Sequence, residues 1–332
     1  MRNPHLQTIL PRFYRKRHSI STIDEQLELP DGDFVELCWT DKPDPNSAKP
    51  VVVLFHGLGG SIDSFYARGM MEVIVNSGWT GVLMHFRGCG KKTNRHAQAY
   101  HSGETTDARY LIEVLKERYP NSPLAAIGFS LGGNMLSKYL GESGDDSLLD
   151  AAVVISAPLR LSPCAKRMSR NFSRVYQKFL LDMLKKGLIK KLGFLKEKFP
   201  LSITPQDVKR IKTLKEFDDL VTGPLHGFEN AEDYYAKCSG IQFLKGVTTP
   251  TLIIHAADDP FMTHQVHPVP EDLSPAIRYE LSSGGGHVGF IHGKHPLKPE
   301  FWLEQRAPAF IEAELSKKLS KKLSKKLSEI ES

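Results

Sequence analysis

The sequence predicts an α/β protein: a mainly parallel central sheet with helices on both faces and an inserted helical cap. Three observations predict it. Short apolar runs recur along the chain, stretches with apolar residues at helical spacing lie between them, and one long gap breaks the alternation.

The apolar runs are PVVVLF (50–55), WTGVLMHF (79–86), PLAAIGF (123–129), AAVVISA (151–157) and TPTLIIHA (249–256). Runs without polar alternation are what strands buried on both faces require. Between them, residues 62–77, 105–118 and 131–143 place apolar side chains at helical spacing, as in LIEVLKERY (111–119), so the order is βαβα. FVELCWT (34–40) and residues 19–29 read as an antiparallel pair ahead of this series. After Pro158 about ninety residues pass before the next strand, too many for one crossover helix, and a helical insertion is expected there. The expected organisation is a first core segment over 1–158, a cap over 159–246, a second core segment over 247–315 and a low-complexity basic tail over 316–332.

Composition narrows the function classes. Hydrophobic residues at 40% and charged residues at 25% fit a globular chain of 332 residues and exclude a disordered or fibrous one. No apolar run reaches the roughly 20 residues that span a bilayer, and the start of the chain lacks the apolar core of a signal peptide, so a cytoplasmic protein is expected. Cys38, Cys89, Cys164 and Cys238 lie far apart, without CxxC or zinc-ligand spacing, and read as free thiols with no metal site. The net charge of +6 comes without a helix-turn-helix, RNP-like strand or zinc finger, so no nucleic-acid partner is expected.

Charge is concentrated in two places. Residues 159–200 hold twelve Lys or Arg against two acidic residues, and the tail repeats Leu315, Leu319, Leu323 and Leu327 every four residues among lysines. The bland reading of both is a solvated basic helix face and a frayed repeat extension. The functional reading is peripheral contact with an anionic membrane.

The residues that carry chemistry begin at Gly128-Phe129-Ser130-Leu131-Gly132, which ends an apolar run and opens a helical stretch. In this strand-to-helix context GxSxG is a nucleophile elbow, with Ser130 held on a tight turn. A serine hydroxyl is a weak nucleophile at neutral pH and needs a histidine base, itself oriented by a carboxylate. The chain order of such elbows puts the acid after the strand that follows the cap and the histidine after the next strand. LIIHAADDP (252–260) and AIRYELSSGGGHVGF (276–290) meet both requirements and point to His287. The acid is Asp258 or Asp259. Laying Ala256 on the glycine of the usual Gly-x-x-Asp-Pro loop favours Asp259 and leaves Asp258 a turn or capping residue. Backbone donors for an oxyanion are expected at Leu131, after the nucleophile, and at Leu58 in the loop His56-Gly57-Leu58-Gly59-Gly60. Of the other histidines, His56, His85 and His101 read as structural hydrogen-bonding groups, and His264 and His267 as surface residues.

With these residues in hand, the chain resembles the YheT-like subfamily of α/β-hydrolases, which also takes in animal membrane-associated lipases and phospholipases. The resemblance runs from Asn3-Pro4-His5-Leu6-Gln7-Thr8 through HGLGGS (56–61), FRGCG (86–90), YHSGETTD (100–107), GFSLGGN (128–134), HGFENAEDYY (226–235), HAADDPF (255–261) and GGHVGF (285–290). It implies the α/β-hydrolase fold, a catalytic triad of Ser130, Asp259 and His287, and activity on carboxylic esters, with acylglycerols or phospholipids as the substrates of animal members. The chain departs from those members in lacking an N-terminal apolar anchor, and its SKKL repeat lies outside the pattern.

The expected function is therefore a cofactor-free serine esterase or lipase-like enzyme for short- to medium-chain acyl esters, with a small-molecule or lipid-like partner. The alternative is a non-catalytic basic module that binds membranes or proteins on a hydrolase fold. Thioester and peptide substrates suit the same triad, and the sequence does not specify an oligomeric state.

Overall fold

The computed structural model describes residues 3–14, 20–293 and 299–330. Eight strands form one sheet: β1 (Ile23–Glu28), β2 (Phe34–Trp39), β3 (Val51–Phe55), β4 (Thr80–His85), β5 (Leu124–Phe129), β6 (Ala151–Ile155), β7 (Thr251–Ala256) and β8 (Ile277–Ser282). Their order is β1-β2-β4-β3-β5-β6-β7-β8. β1 and β2 form an antiparallel pair, β2 joins β4 antiparallel, and all later neighbours are parallel.

Every residue of β3 to β7 is buried, as the uninterrupted apolar runs require. Alternation then divides the core. Val51, Val53 and Phe55 face one layer, with Leu111 and Leu115 of α4 (Thr106–Arg118) and Met135 and Leu136 of α5 (Leu131–Ser143). Val52 and Leu54 face the other, with Met70 and Met71 of α3 (Phe65–Asn76) and Phe310 and Ile311 of α12 (Trp302–Ile330).

Helices fill the span between β6 and β7: α6 (Leu161–Met168), α7 (Ser173–Leu195), α8 (Pro205–Arg210), α9 (Leu214–Phe217), α10 (Gly223–Leu225) and α11 (Ala231–Cys238). They have a small core of their own, in which Leu181 and Leu188 of α7 meet Val208, Phe217 and Val221. The Lys-rich stretch is not wholly a solvated face. Lys191 is buried, donates to the carbonyls of Asn94 (2.8 Å) and His96 (2.7 Å), and is pushed down to about 8 by burial. It pins α7 to the loop after β4.

Two short helices, α1 (Pro4–Ile9) and α2 (Pro11–Tyr14), precede the sheet, and a two-stranded ribbon of β9 (Ile291–His292) and β10 (Glu300–Phe301) precedes α12. The tail continues α12 through the SKKL repeat, with Leu315 against the core and Leu319 exposed. The side chains of Leu323 and Leu327 lie outside the described residues. Among the described residues no helix is long and apolar enough to cross a membrane. All four cysteines are free thiols.

Several histidines are structural. His56 accepts from the Phe86 amide (3.2 Å) and His85 from the Ile62 amide (3.2 Å). His101 accepts from the Gly103 amide (3.2 Å). His267, expected at the surface, is instead half-buried with its ring 5.5 Å from that of His255, because the loop after β7 folds back on the sheet. Burial pushes His56 and His101 down from 6.5 to about 3, and His226 and His255 to about 4.

These four imidazoles stay neutral in the fold but protonate once unfolded, so their contribution is fully present above pH 6.5 and is lost as pH falls toward 3 to 4. Asp218, pushed up to about 6 by burial, and Glu104, also raised by burial, act in the opposite sense, while His85 and His267, lowered by burial, act with the four. At pH 5 each imidazole should cost about 2 kcal/mol of stability. The urea midpoint is therefore expected to drop clearly between pH 7.5 and pH 5. A flat midpoint would mean that burial does not hold these rings neutral.

Candidate active site

Sheet topology creates the crevice. From β3 the chain goes to β4 on one side and then to β5 on the other, so the loops after β3 and β5 diverge at the carboxyl edge. Ligands in open α/β sheets bind at such a switch point. Ser130 stands here, between β5 and α5, with φ 52° and ψ −117°. The turn closes only because the approaching backbone meets glycine: a methyl on Gly132 would lie 2.5 Å from the Phe55 carbonyl oxygen.

The histidine and the acid arrive from the loops after β8 and β7. His287 Nε2 lies 3.0 Å from Ser130 Oγ, and His287 Nδ1 lies 2.8 Å from Asp259 Oδ2. A carboxylate only accepts, so Nδ1 carries the proton in the neutral ring and Nε2 is left to accept from the serine hydroxyl. Asp259 is almost fully buried, and its other oxygen accepts from the Phe261 amide (2.8 Å). Phe261 also lies flat on the imidazole, with ring centroids 3.9 Å apart and planes 10° apart.

Asp258 turns the other way. Its Oδ1 accepts from the amides of both Gly285 and Gly286, each at 2.9 Å, and so anchors the loop that carries His287. The two adjacent aspartates thus serve different atoms of one loop: Asp259 meets the ring, Asp258 the backbone.

The glycine-rich loop after β3 lies against the serine. A methyl on Gly57 would be 3.2 Å from Ser130 Cβ. Two tyrosines brace it: Tyr66 accepts from the Gly57 amide (2.8 Å) and Tyr100 from the Gly59 amide (2.7 Å). The intervening amide of Leu58, and that of Leu131 at the first turn of α5, have no acceptor among the described residues. Sequence reasoning missed Tyr66 and Tyr100, and only the placement of Tyr100 in YHSGETTD hinted at a role.

A family model described as the alpha/beta hydrolase fold matches residues 50–294. The chain belongs to the α/β-hydrolase family. Within the hydrolases it is 47% identical over 316 residues to YheT of Escherichia coli, which carries a provisional esterase name; the match covers 95% of this chain and 92% of that one. It is 33% identical over 260 residues to a protein of Saccharomyces cerevisiae named monoacylglycerol lipase, covering 76% of this chain and 57% of that one. Among solved structures, the Pyrococcus furiosus esterase Pf2001 shares the hydrolase fold with a TM-score of 0.57 at 18% identity, covering 89% of this chain and 93% of that one.

A cavity of about 380 Å³ between the loop 95–98 and residues Leu195, Lys198 and Pro200 of the helical insertion includes none of Ser130, Asp259 and His287. Among the described residues no group of His, Cys, Asp and Glu could hold a metal ion.

The two aspartates can be separated by experiment. Asp258→Asn keeps an oxygen that can accept from Gly285 and Gly286, whereas Asp258→Ala strips both buried amides of their partner, at about 1–3 kcal/mol. A melting-temperature series should rank Asp258→Ala well below Asp258→Asn. Equal melting temperatures would remove Asp258 as the anchor of the histidine loop.

Proposed function

We propose that the protein is a serine hydrolase that cleaves carboxylic esters through an acyl-enzyme on Ser130. The carrying observation is the hydrogen-bonded chain from Asp259 through His287 to a serine held at positive φ beside two unpartnered amides. In the first step Ser130 Oγ attacks the ester carbonyl and passes its proton to His287 Nε2. The tetrahedral oxyanion takes hydrogen bonds from the Leu58 and Leu131 amides, and the leaving alcohol departs with the proton from Nε2. Water then repeats the sequence and frees the acid. Asp259 keeps the proton on Nδ1 and stabilises the imidazolium. No cofactor is required for either step.

The substrate reading is a lipid-like ester of short to medium acyl chain. The helical insertion, residues 159–246, supports it by roofing the site with apolar groups. Met183 of α7 sits over the glycine-rich loop, where a methyl on Gly59 would be 2.8 Å from its Cε. Tyr176 of α7 packs its ring 5.0 Å from that of Phe261. The monoacylglycerol lipase name of the yeast relative points the same way. An aspartate at the elbow, as dehalogenase and epoxide-hydrolase chemistry would need, is replaced here by Ser130.

Ser130→Ala should remain folded, lose labelling by fluorophosphonates and lose hydrolysis of short-chain p-nitrophenyl esters by a factor of about a thousand or more. Asp259→Asn should lower kcat far more than Asp258→Asn. Labelling that survives in Ser130→Ala would sink the assignment.

Contact with an anionic lipid surface belongs to the same reading. Leu6, Ile9 and Phe13 on α1 and α2, and Phe172 at the N-cap of α7 with Val175 and Phe179 on it, form two exposed stripes at helical spacing. The stripes are joined: His5 lies 4.4 Å from Phe172 and the Arg12 guanidinium 5.8 Å from the Phe179 ring. Exposed apolar patches of this kind mark docking surfaces. Arg12, Arg170, Arg174 and Lys178 around it would attract anionic headgroups, each by about 1 kcal/mol before screening. Co-sedimentation with phosphatidylglycerol vesicles at low salt should therefore exceed that with phosphatidylcholine vesicles. It should fall more in a Phe13→Ser, Phe172→Ser, Phe179→Ser variant than on removal of residues 316–332. Equal partitioning onto both vesicle types, or none, would return these residues to an ordinary surface.

A further inference from the structure

The run Asn3-Pro4-His5-Leu6-Gln7-Thr8 has no part in the reaction just proposed, yet the fold carries it to the histidine loop. We infer that α1 is a positioning element of the active site, in which Thr8 and Gln7 fix the turn that holds the His287 imidazole. The inference rests on the serine-hydrolase reading for its link to turnover, and on geometry for the rest.

The His287 amide donates to Thr8 Oγ1 (3.0 Å), whose own hydroxyl donates to the Pro4 carbonyl (2.8 Å) and so turns a lone pair toward His287. Four residues on, the buried Gln7 side chain binds Ile291 at both ends. Nε2 donates to the Ile291 carbonyl (2.9 Å), and Oε1 accepts from its amide (2.7 Å). The two ends of the turn 287–291 are therefore each tied to one helix. Between them Val288 and Phe290 stand at φ 61° and 46°, a conformation that non-glycine residues keep only where their surroundings over-determine it. α1 supplies such surroundings, since a methyl at Gly289 would collide with the Gln7 carbonyl oxygen.

α1 is itself well fixed. Asn3 Oδ1 caps it by accepting from the amides of His5 (2.9 Å) and Leu6 (3.1 Å). On its far side, His5 Nδ1 lies 3.1 Å from the Tyr176 hydroxyl of α7. The imidazole is thus held through its backbone by Thr8, on its face by Phe261 and at Nδ1 by Asp259. The His287 amide has no other acceptor among the described residues, while the amides on either side of it go elsewhere: Gly286 to Asp258 Oδ1 (2.9 Å) and Val288 to Ser156 Oγ (3.3 Å).

A misplacement of about 1 Å in a reacting group can cost a hundredfold in rate, so loosening this turn should act on turnover and leave substrate binding alone. Thr8→Val keeps the shape and removes the acceptor, Thr8→Ser keeps the hydroxyl, and Gln7→Met removes both bonds to Ile291. With p-nitrophenyl butyrate, kcat should fall about tenfold or more in Thr8→Val and Gln7→Met, with KM held within about twofold. Thr8→Ser should recover most of it. A second readout is the downfield His287 Nδ1–H proton resonance, assigned by its loss in His287→Ala. It should shift or broaden in Thr8→Val and return in Thr8→Ser. This resonance does not depend on turnover, so it still reports on the clamp if Ser130→Ala retains hydrolysis and the serine-hydrolase reading fails. An unmoved resonance in Thr8→Val overturns the inference, as does a loss of kcat that Thr8→Ser shares in full.

Discussion

Ser130 has to leave β5 and begin α5 within one residue, and its backbone takes positive φ to do so. A non-glycine residue in such a conformation costs about 1–3 kcal/mol and persists only where its neighbours leave no alternative. Here the neighbours are the Ile155 carbonyl, which accepts the Ser130 amide at 2.8 Å, and the close crossing of α5 over β3. The same turn aims the N-terminal end of α5 at the space above the serine, where free amides and the helix dipole favour negative charge. Strand, turn and helix cannot be moved separately.

Around this fixed point the remaining loops are braced from outside the crevice. Tyr66 and Tyr100 hold the glycine-rich loop, Asp258 holds the start of the histidine turn and α1 its remainder. Farther out, Arg87 makes a two-pronged pair with Asp107 (2.7 and 2.6 Å) and a further bond to Asp31 (2.6 Å), tying the loop after β4 to α4 and to the β1–β2 hairpin. Asp33 accepts from Asn94 (2.6 Å) and from the Arg95 amide (2.7 Å) in the same region. The loops of the candidate site therefore rest on an outer frame and, through Asp258 and Asp259, on one another.

Strands buried on both faces announce themselves through composition, and β3 to β7 could be read to within two residues. That Ser130 and His287 stand on the loops after β5 and β8 was legible because elbow and loop follow strands in a fixed chain order. That Asp259, and not Asp258, meets the His287 ring was legible only by its offset from Ala256. The short helices α8 to α11 escaped individual assignment because three to eight residues give too few turns for a period to show. Lys191 and His267 were misjudged for a related reason: a local window cannot see which distant loop will cover a polar side chain. The partners of Gln7 and Thr8 lie beyond any local signal.

The bonds from Gln7 to Ile291 join residues 284 positions apart. Contacts of such separation form late, because the chain entropy of closing so long a loop is lost before the contact contributes anything. A chain emerging during synthesis can build β1 to β6, and even the elbow, long before the histidine turn exists. α1 must then wait for the turn after β8. The site would thus be completed in a single closing event that joins residues 7 and 8 to the turn 287–291, and partly folded chains would carry a formed serine turn with no histidine beside it.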